Sequence, residues 1–250
     1  MRVSLICLMS SVIFAFEAAA LEICGDLRQG ELVLINDGKK TYLKAFGRDE
    51  PPVFNIDGLK LQIEKAKWDV QSVHGVAQKK VTPSKKDEEH ILREQKDLKA
   101  ALAKNINPNA DWKDGFILPV DGRISGQFGN QRIFNGIKKN PHTGTDIAAP
   151  SGTPVRAAGD GIVILGGKDY FYTGNMVIID HGEGLKTVYA HLKDFNVANG
   201  DKVKKGDIIG HVGQTGRATG PHLHWGAVLD GVRFRPQSLI DLSGKNCRSY

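Results

Sequence analysis

Two short motifs in the second half of the chain place histidine and aspartate at the spacing of metal ligands. His142 and Asp146 lie four residues apart with Gly144 between them, and one residue separates His222 from His224. In a β-strand, residues i and i+2 project from the same face, so both imidazoles of the second motif point to one side. Two adjacent imidazolium groups would repel each other, whereas a divalent cation binds neutral imidazole nitrogens. A mixed set of nitrogen and oxygen ligands with one open position suits a catalytic Zn²⁺.

Other histidines are concentrated around these motifs, because six of the eight fall in residues 115–250. His191 ends a strand-like run that begins at Tyr189, and we include it in the predicted site. His181 stands at a predicted strand end and His211 follows a glycine, so we expect structural or exposed roles for both. Each motif alone also arises by accident on surface strands. The metal site is favoured because the motifs occur together in one glycine-rich β segment.

The second half of the chain has the composition of a small β-domain. It contains 23 of the 29 glycines, with 16 Lys and Arg residues against 11 Asp and Glu residues. Short β-rich runs alternate with turn signals about every 8–12 residues, which is typical of an antiparallel sheet. The glycines supply the positive φ angles that tight turns require. We predict strands at 162–165, 176–179, 186–190, 207–210 and 223–228.

The first half predicts a second β region followed by a helix. The turn residues at 36–38, between two β-rich runs, predict a hairpin. We therefore expect a small β-domain at 21–83 with a role in packing or recognition. The charged segment that follows predicts a helix at 84–105, with Ser84 as its N-terminal cap and an apolar stripe along one side. Its charges balance, which favours a solvated helical linker over 84–114.

The amino terminus predicts export from the cytoplasm. Arg2 precedes an apolar run of about 14 residues, which is shorter than the roughly 20 needed to span a bilayer. Three alanines at 18–20 then provide a cleavage site, so residues 1–20 read as a signal peptide, with no stable membrane insertion after cleavage. Cleavage leaves Cys24 and Cys247 near opposite ends of the mature chain. Two cysteines in an oxidising compartment can form a disulfide, and the sequence equally allows two free thiols.

Four segments in order resemble the signature blocks of the LytM and lysostaphin type zinc endopeptidases, which cleave peptidoglycan cross-links. The blocks are HTGTDIAAPSGTPV (142–155), GNMVIIDHGEGLKTVYAHL (174–192), GDKVKKGDIIGHVGQTG (200–216) and ATGPHLHWG (218–226). The resemblance implies a mainly β fold, with an antiparallel catalytic sheet at 115–242 and a short tail at 243–250. It implies one zinc ion per chain, and it assigns roles to five residues, with His142, Asp146 and His224 as ligands and His191 and His222 as catalytic histidines.

The same resemblance implies a secreted Gram-negative enzyme that hydrolyses peptide cross-links of peptidoglycan in the periplasm or outside the cell. Zinc would activate a water, His222 would accept its proton, and His191 would hydrogen-bond the water or the developing oxyanion. The loops at 134–140 and 168–174 would set bond specificity. Residues 25–83 would either recognise substrate or cover the site, and we expect partial autoinhibition because the helix gives a short, stiff connection.

Three alternative functions fit parts of the sequence. Some relatives of this fold have lost their ligands and activate amidases as non-enzymatic wall proteins, but all five site residues are present here. Residues 200–210 resemble the turns of biotinyl and lipoyl carrier domains, but they lack the tip of those carriers, in which a short recognition motif flanks the modified lysine. The net charge of +6 would also suit binding to nucleic acid. However, the basic residues are scattered, and the signal peptide directs the chain away from nucleic acid. We therefore expect an anionic cell wall as partner, no nucleic acid, and a monomer.

Overall fold

Strands dominate the computed structural model, which describes residues 21–242 and 247–250. The predicted signal peptide lies outside these residues. The strands in chain order are β1 (Glu22–Cys24), β2 (Leu32–Asn36), β3 (Thr41–Ala45), β4 (Val53–Ile56), β5 (Leu59–Gln62), β6 (Val70–Val73), β7 (Arg123–Gly126), β8 (Gln131–Phe134), β9 (Ile137–Lys138), β10 (Thr145–Ala148), β11 (Pro154–Arg156), β12 (Gly161–Tyr170), β13 (Gly174–Asp180), β14 (Leu185–Phe195), β15 (Lys202–Val203), β16 (Ile208–Val212), β17 (His222–Leu229), β18 (Val232–Phe234) and β19 (Cys247–Ser249).

Helices are few in the described part of the chain. They are α1 (Gln78–Val81), α2 (Lys85–Ala103), α3 (Ser238–Asp241) and a single 3₁₀ turn at Asp111–Asp114. Within residues 21–242 and 247–250, no helix combines the length and the apolar character required to cross a membrane.

The second half of the chain forms a large antiparallel sheet, which confirms the predicted fold class. Its strands lie in the order β15-β12-β13-β14-β17-β10-β7, with β16 beside β14 and β11, and β18 beside β17. The five predicted strands overlap β12, β13, β14, β16 and β17. Leu223 and Trp225 of β17 are fully buried in the main core on one side of the sheet. Alternation along the strand therefore turns His222 and His224 toward the opposite side.

The first and last described strands belong to one smaller sheet. Its order is β19-β1-β2-β3, and the predicted hairpin at 36–38 joins β2 to β3. Cys24 and Cys247 are directly opposite each other in the β1–β19 pair and form a disulfide, so the bridged alternative is confirmed. The carboxylate of Glu31 also accepts hydrogen bonds from Nε and Nη2 of Arg235, each 2.8 Å long, and from the Ser238 hydroxyl. These contacts attach the smaller sheet to the end of the catalytic segment.

One strand of the first half pairs with the second half. β6 runs parallel to β8, and β9 completes the three-stranded sheet. The segment predicted as a first domain thus contributes backbone pairing to the region beyond residue 115. The division of the chain at residue 83 stays a prediction.

Helix α2 packs on the side of the large sheet that also carries His222 and His224. Ser84 and Asp87 form a capping box at its start, as the sequence predicts for this helix. Ala101, Leu98 and Leu102 contact an apolar cluster on β12, β13 and β14. The buried carboxylate of Glu94 accepts the backbone N–H of Phe171 at 2.8 and 2.9 Å. The helix therefore packs on the sheet and fixes the loop that follows β12.

Candidate metal centre

The three predicted ligands converge on one point. Nε2 of His142 lies 3.0 Å from Oδ1 of Asp146 and 3.0 Å from Nδ1 of His224. Nδ1 of His224 lies 2.9 Å from the same carboxylate oxygen. The donor atoms of the set are all within 4.8 Å of one another, and His142 and Asp146 are buried. This is the arrangement of two imidazoles and a carboxylate that the sequence predicted as the metal site.

The protonation of His142 explains why this cluster suits a cation. Its Nδ1 lies 2.9 Å from the carbonyl oxygen of Gln127, which can only accept a hydrogen bond. Nδ1 of neutral His142 must therefore carry the proton, and Nε2 presents a lone pair to Asp146 and His224. Lone pairs and a carboxylate that face each other at this distance require a proton or a cation between them. The donor set fits zinc, which prefers nitrogen and oxygen ligands in a closely spaced group.

Strand register brings the ligands together. In the β10–β17 pair, Asp146 is opposite His224, so the two motifs share one face although 78 residues separate them. Gly144, between His142 and Asp146, cannot be replaced by a larger residue, because there is no room for a side chain at this position. A Cβ on Gly144 would lie 2.5 Å from the Trp225 carbonyl oxygen and 2.8 Å from the His224 ring, so a side chain there would displace a ligand.

Arg132 on β8 supports the carboxylate ligand from the other side. Its Nη2 contacts Oδ2 of Asp146, which leaves Oδ1 facing the two imidazoles. Gly126 makes room for this pair, because a Cβ there would lie 2.7 Å from both Nη2 of Arg132 and Oδ2 of Asp146. The sequence analysis missed Arg132, since it belongs to neither histidine motif and lies outside all four resembling blocks.

His191 reaches the site through a distortion of its strand. Pairing between β13 and β14 shifts register between Tyr189 and Leu192, and His191 has a φ of 62°. Such a left-handed residue is strained unless its surroundings hold it. Here the His191 N–H donates to the Thr173 carbonyl at 2.8 Å, and Nδ1 donates to the Thr215 carbonyl at 2.8 Å. The bulge therefore aims the imidazole, with Nε2 as a free acceptor.

His222 is held in the same manner. Its Nδ1 donates to the carbonyl of Gly220 at 2.8 Å, so Nε2 again carries the lone pair. That Nε2 lies 3.8 Å from Oδ1 of Asp146, and the rings of His222 and His191 are 4.7 Å apart. The structure thus brings all five predicted residues into one cluster.

Burial favours the neutral form of His191 and His224 in this cluster. It lowers the pKa of His191 to about 3, with repulsion from His222 and His224 adding to the effect. It also lowers the pKa of His224 to about 4, against the attraction of Asp146. Burial would raise the pKa of Asp146, but the adjacent His142 and His224 rings hold it well below its usual value. Neutral imidazoles beside an ionised carboxylate are the protonation states that a metal ion needs.

The two remaining histidines of this half lie outside the site. His181 is fully buried and hydrogen-bonds the Asp160 carbonyl and the Thr187 hydroxyl. His211 is partly exposed and pairs with Asp194. Both match the structural or exposed roles predicted for them. A second metal-like group in the described residues contains Cys24 and Cys247, whose sulfurs are bonded to each other and are not free ligands.

Contacts from the first half reach both predicted specificity loops. The loop at 168–174 receives the Lys80 ammonium, which donates to the Phe171 carbonyl at 2.5 Å. The segment at 134–140 contributes Lys139, whose ammonium donates to the Val81 carbonyl at 2.6 Å. Val81 also packs with Phe134 at the end of β8. The segment around α1 is thus bonded to both loops.

Known proteins match the part of the chain that carries the cluster. Residues 140–236 match the model of Peptidase family M23. A relative from Neisseria meningitidis, DD-carboxypeptidase/endopeptidase Mpg, is 51% identical over 98 residues, which are 39% of this chain and 22% of that protein. Peptidoglycan DD-endopeptidase ShyA from Vibrio cholerae is 46% identical over 121 residues, 47% of this chain and 27% of that protein. A solved Pseudomonas aeruginosa structure assigned to peptidase M23 is 27% identical with a TM-score of 0.51, covering 84% of this chain and 72% of that one.

Residues 140–236 form a peptidase M23 domain, which confirms the resemblance to the LytM and lysostaphin type enzymes. All five residues of the cluster fall within the matched segment, whereas Arg132 precedes it. The chain spans about a quarter of the length of the two curated relatives.

Proposed function

We propose that this protein is a zinc-dependent endopeptidase that hydrolyses peptide cross-links of bacterial peptidoglycan. The observation that carries the proposal is the convergence of His142, Asp146 and His224 next to two further imidazoles whose Nε2 atoms are free. The match of residues 140–236 to a peptidase family and the 46% identity to a peptidoglycan DD-endopeptidase over 121 residues support it. The complete ligand set favours an enzyme over a non-enzymatic wall protein.

His142, Asp146 and His224 would hold the zinc ion. A zinc ion in such a site supplies a Lewis acid and an acidified water. Arg132 donates a hydrogen bond to Oδ2 of Asp146, so that Oδ1 stays directed at the metal position. The Gln127 carbonyl keeps the lone pair of His142 on Nε2 by accepting the proton of Nδ1.

We assign proton transfer to His222. It lies on the same strand face as His224, and its Nε2 is 3.8 Å from the carboxylate oxygen of the ligand set. That atom can accept a proton from the attacking water and return it to the leaving amine. Nε2 of His191 is also an acceptor in the neutral ring, so His191 orients the water through a hydrogen bond. Donation to an oxyanion would require His191 to take up a proton first.

Digestion of purified peptidoglycan sacculi tests the proposal. We expect soluble muropeptides, identified by mass spectrometry, when the zinc-loaded protein is added. Thorough chelation should abolish their release, and added zinc should restore it. Full activity after chelation would contradict the metal-dependent mechanism, and intact sacculi with zinc present would contradict the function itself.

Two histidine variants separate metal binding from catalysis. His224→Ala should lose zinc, whereas His222→Ala should keep zinc and lose turnover. Zinc content measured by mass spectrometry and folding measured by circular dichroism distinguish the two cases. His74→Ala, at an exposed position, is the matched control. A folded but zinc-free His222→Ala protein would refute the assignment of His222.

We also propose that residues around α1 restrain access to the site in the full chain. The bonds from Lys80 to Phe171 and from Lys139 to Val81 support this, because they hold the segment against both loops. Lys80→Met should therefore raise the rate of peptidoglycan digestion, while Lys79→Met, at an exposed neighbour, should not. An unchanged rate in Lys80→Met would refute the restraint.

The place of action follows from the proposed substrate. Peptidoglycan lies outside the cytoplasm, so we propose a periplasmic or secreted location. The basic composition supports attraction to an anionic wall, which should weaken as salt rises. Sacculus binding that is equal at low and high salt would contradict this role of charge.

A further inference from the structure

Arg217 lies in the loop between β16 and β17, which leads into the strand of His222 and His224. It follows Thr215, whose carbonyl accepts the Nδ1 proton of His191. Its own backbone N–H donates to the carbonyl of Tyr172 at 2.8 Å. The loop around Arg217 is therefore anchored both to Tyr172 and to the proposed catalytic His191.

Two aromatic rings hold the side chain of Arg217. The guanidinium carbon is 4.3 Å from the centre of the Tyr172 ring and 4.6 Å from the centre of the Phe134 ring. Stacking of this kind favours a planar, delocalised cation and limits its rotamers. Phe134 also packs near Arg132, the residue that contacts Asp146. Arg217 is thus connected through its contacts to both the His191 side and the Asp146 side of the centre.

No carboxylate among the described residues pairs with the Arg217 guanidinium. Arg132 and Lys80 are both close enough to repel the positive charge of the Arg217 guanidinium. Arg132 is already paired with Asp146, and Lys80 donates to a backbone carbonyl. Burial lowers the pKa of Arg217 to about 10, which leaves it protonated at neutral pH. A half-buried cation with other cations around it and no partner favours binding of an anion from outside.

We propose that Arg217 is a specificity-determining residue that binds a carboxylate of the substrate close to the scissile amide. The preferred substrates are therefore acidic peptides, in which a free carboxylate accompanies the bond to be cut. A guanidinium fork binds carboxylate through two parallel hydrogen bonds, and the stacked rings orient the fork in advance. This inference rests on the proposed peptidase function and adds the chemical class of its substrate.

A pair of defined peptides tests the inference in the zinc-loaded full-length protein. One is a cross-linked peptide with free carboxylates beside the scissile amide, and the other is the same peptide with those carboxylates converted to carboxamides. We expect kcat/KM for the free acid to exceed that for the amide by about tenfold or more, as for the loss of one charge-assisted contact. Arg217→Gln should remove most of this preference through KM, with kcat and zinc content nearly unchanged.

Two further variants separate a binding role from a structural one. Arg217→Lys keeps the charge without the fork and should retain part of the preference for the free acid. Arg93→Gln removes an exposed positive charge on α2 and should leave the preference intact. A general loss of folding would lower activity on both peptides alike. An Arg217→Gln protein that still prefers the free acid as strongly as the parent would overturn the inference.

A binding measurement distinguishes failure of this inference from failure of the proposed function. Calorimetric titration of both peptides into His222→Ala requires no turnover. Equal affinity for the acid and the amide would overturn the role of Arg217. If the parent cuts neither peptide nor sacculi while the His222→Ala protein binds the acid more tightly, the proposed function is wrong and the carboxylate site stands.

Discussion

The buried imidazole of His181 should make stability depend on pH between about 4 and 6.5. His181 is 0% exposed and directly follows β13, far in sequence from the ligand motifs. Its Nδ1 is 2.6 Å from the Asp160 carbonyl, so it carries the ring proton, and Nε2 is 2.7 Å from the Thr187 hydroxyl. Burial lowers the pKa of His181 from 6.5 to about 4, against the hydrogen bond to Asp160.

The direction of the effect follows from comparing the two states. In the unfolded chain the imidazole takes up a proton below pH 6.5, whereas the folded protein stays neutral until about pH 4. Stability from the neutral ring is therefore fully present above pH 6.5 and is lost as pH falls toward 4. The full shift corresponds to about 3 kcal/mol of unfolding free energy. Between pH 7 and pH 4.5, linkage removes about 2 kcal/mol of it.

Urea unfolding of the parent and of His181→Asn measures this contribution. The asparagine amide can donate to the Asp160 carbonyl but does not titrate. We expect the variant to be less stable at pH 7, and to lose about 2 kcal/mol less than the parent between pH 7 and pH 4.5. The other buried histidines titrate in both proteins, so their share cancels in the difference. His74→Asn, at an exposed position, should follow the parent. If His181→Asn and the parent lose equal stability over this range, the assigned pKa of His181 is wrong.

Three further predictions concern the disulfide, the buried ion pair and the metal site. Replacing Cys24 and Cys247 by alanine opens a loop of 223 residues, and urea unfolding should show a loss of about 5 kcal/mol from chain entropy. Glu31→Gln weakens a buried ion pair and should cost about 2 kcal/mol in the same assay, and no loss would mean that the pair adds nothing. Gly144→Ala should lower zinc affinity by about tenfold or more, because its methyl group meets the His224 ring. Zinc titration with a competing chelator checks this, and parental affinity would refute the steric argument.

The sequence could predict the two candidate metal motifs because each is local, whereas the choice of ligands among their residues came from the family resemblance. Alternation in a strand determines that His222 and His224 share a face, and the burial of Leu223 and Trp225 on the other face follows from the same rule. The helix over Lys85–Ala103 was equally predictable, since its cap and apolar stripe are local signals. These features need no knowledge of the rest of the fold.

Other parts of the site depend on contacts between distant segments, and no local sequence pattern indicates these contacts. Strand spacing alone did not predict the bulge at His191, which exists because the strand must meet both the Thr173 and the Thr215 carbonyls. Arg132 reaches the site because β8 directly follows the turn at Gly129 and Asn130, which bonds with His142, and its sequence neighbourhood carries no ligand signal. The role of Arg217 could not be inferred from the sequence, because it depends on the Phe134 and Tyr172 rings, which come from separate segments.

The metal centre therefore depends on strand register more than on any single hydrogen bond. Asp146 is opposite His224 only in the observed β10–β17 pairing, and a slip of one residue would turn one partner to the other side of the sheet. Ile147 and Leu223 resist such a slip, because they are opposite each other in the same pairing and both are buried in the main core. The apolar residues between the ligands are thus as necessary to the site as the ligands. A protein that kept His142, Asp146 and His224 but lost this core contact would hold its donors too loosely to bind the ion.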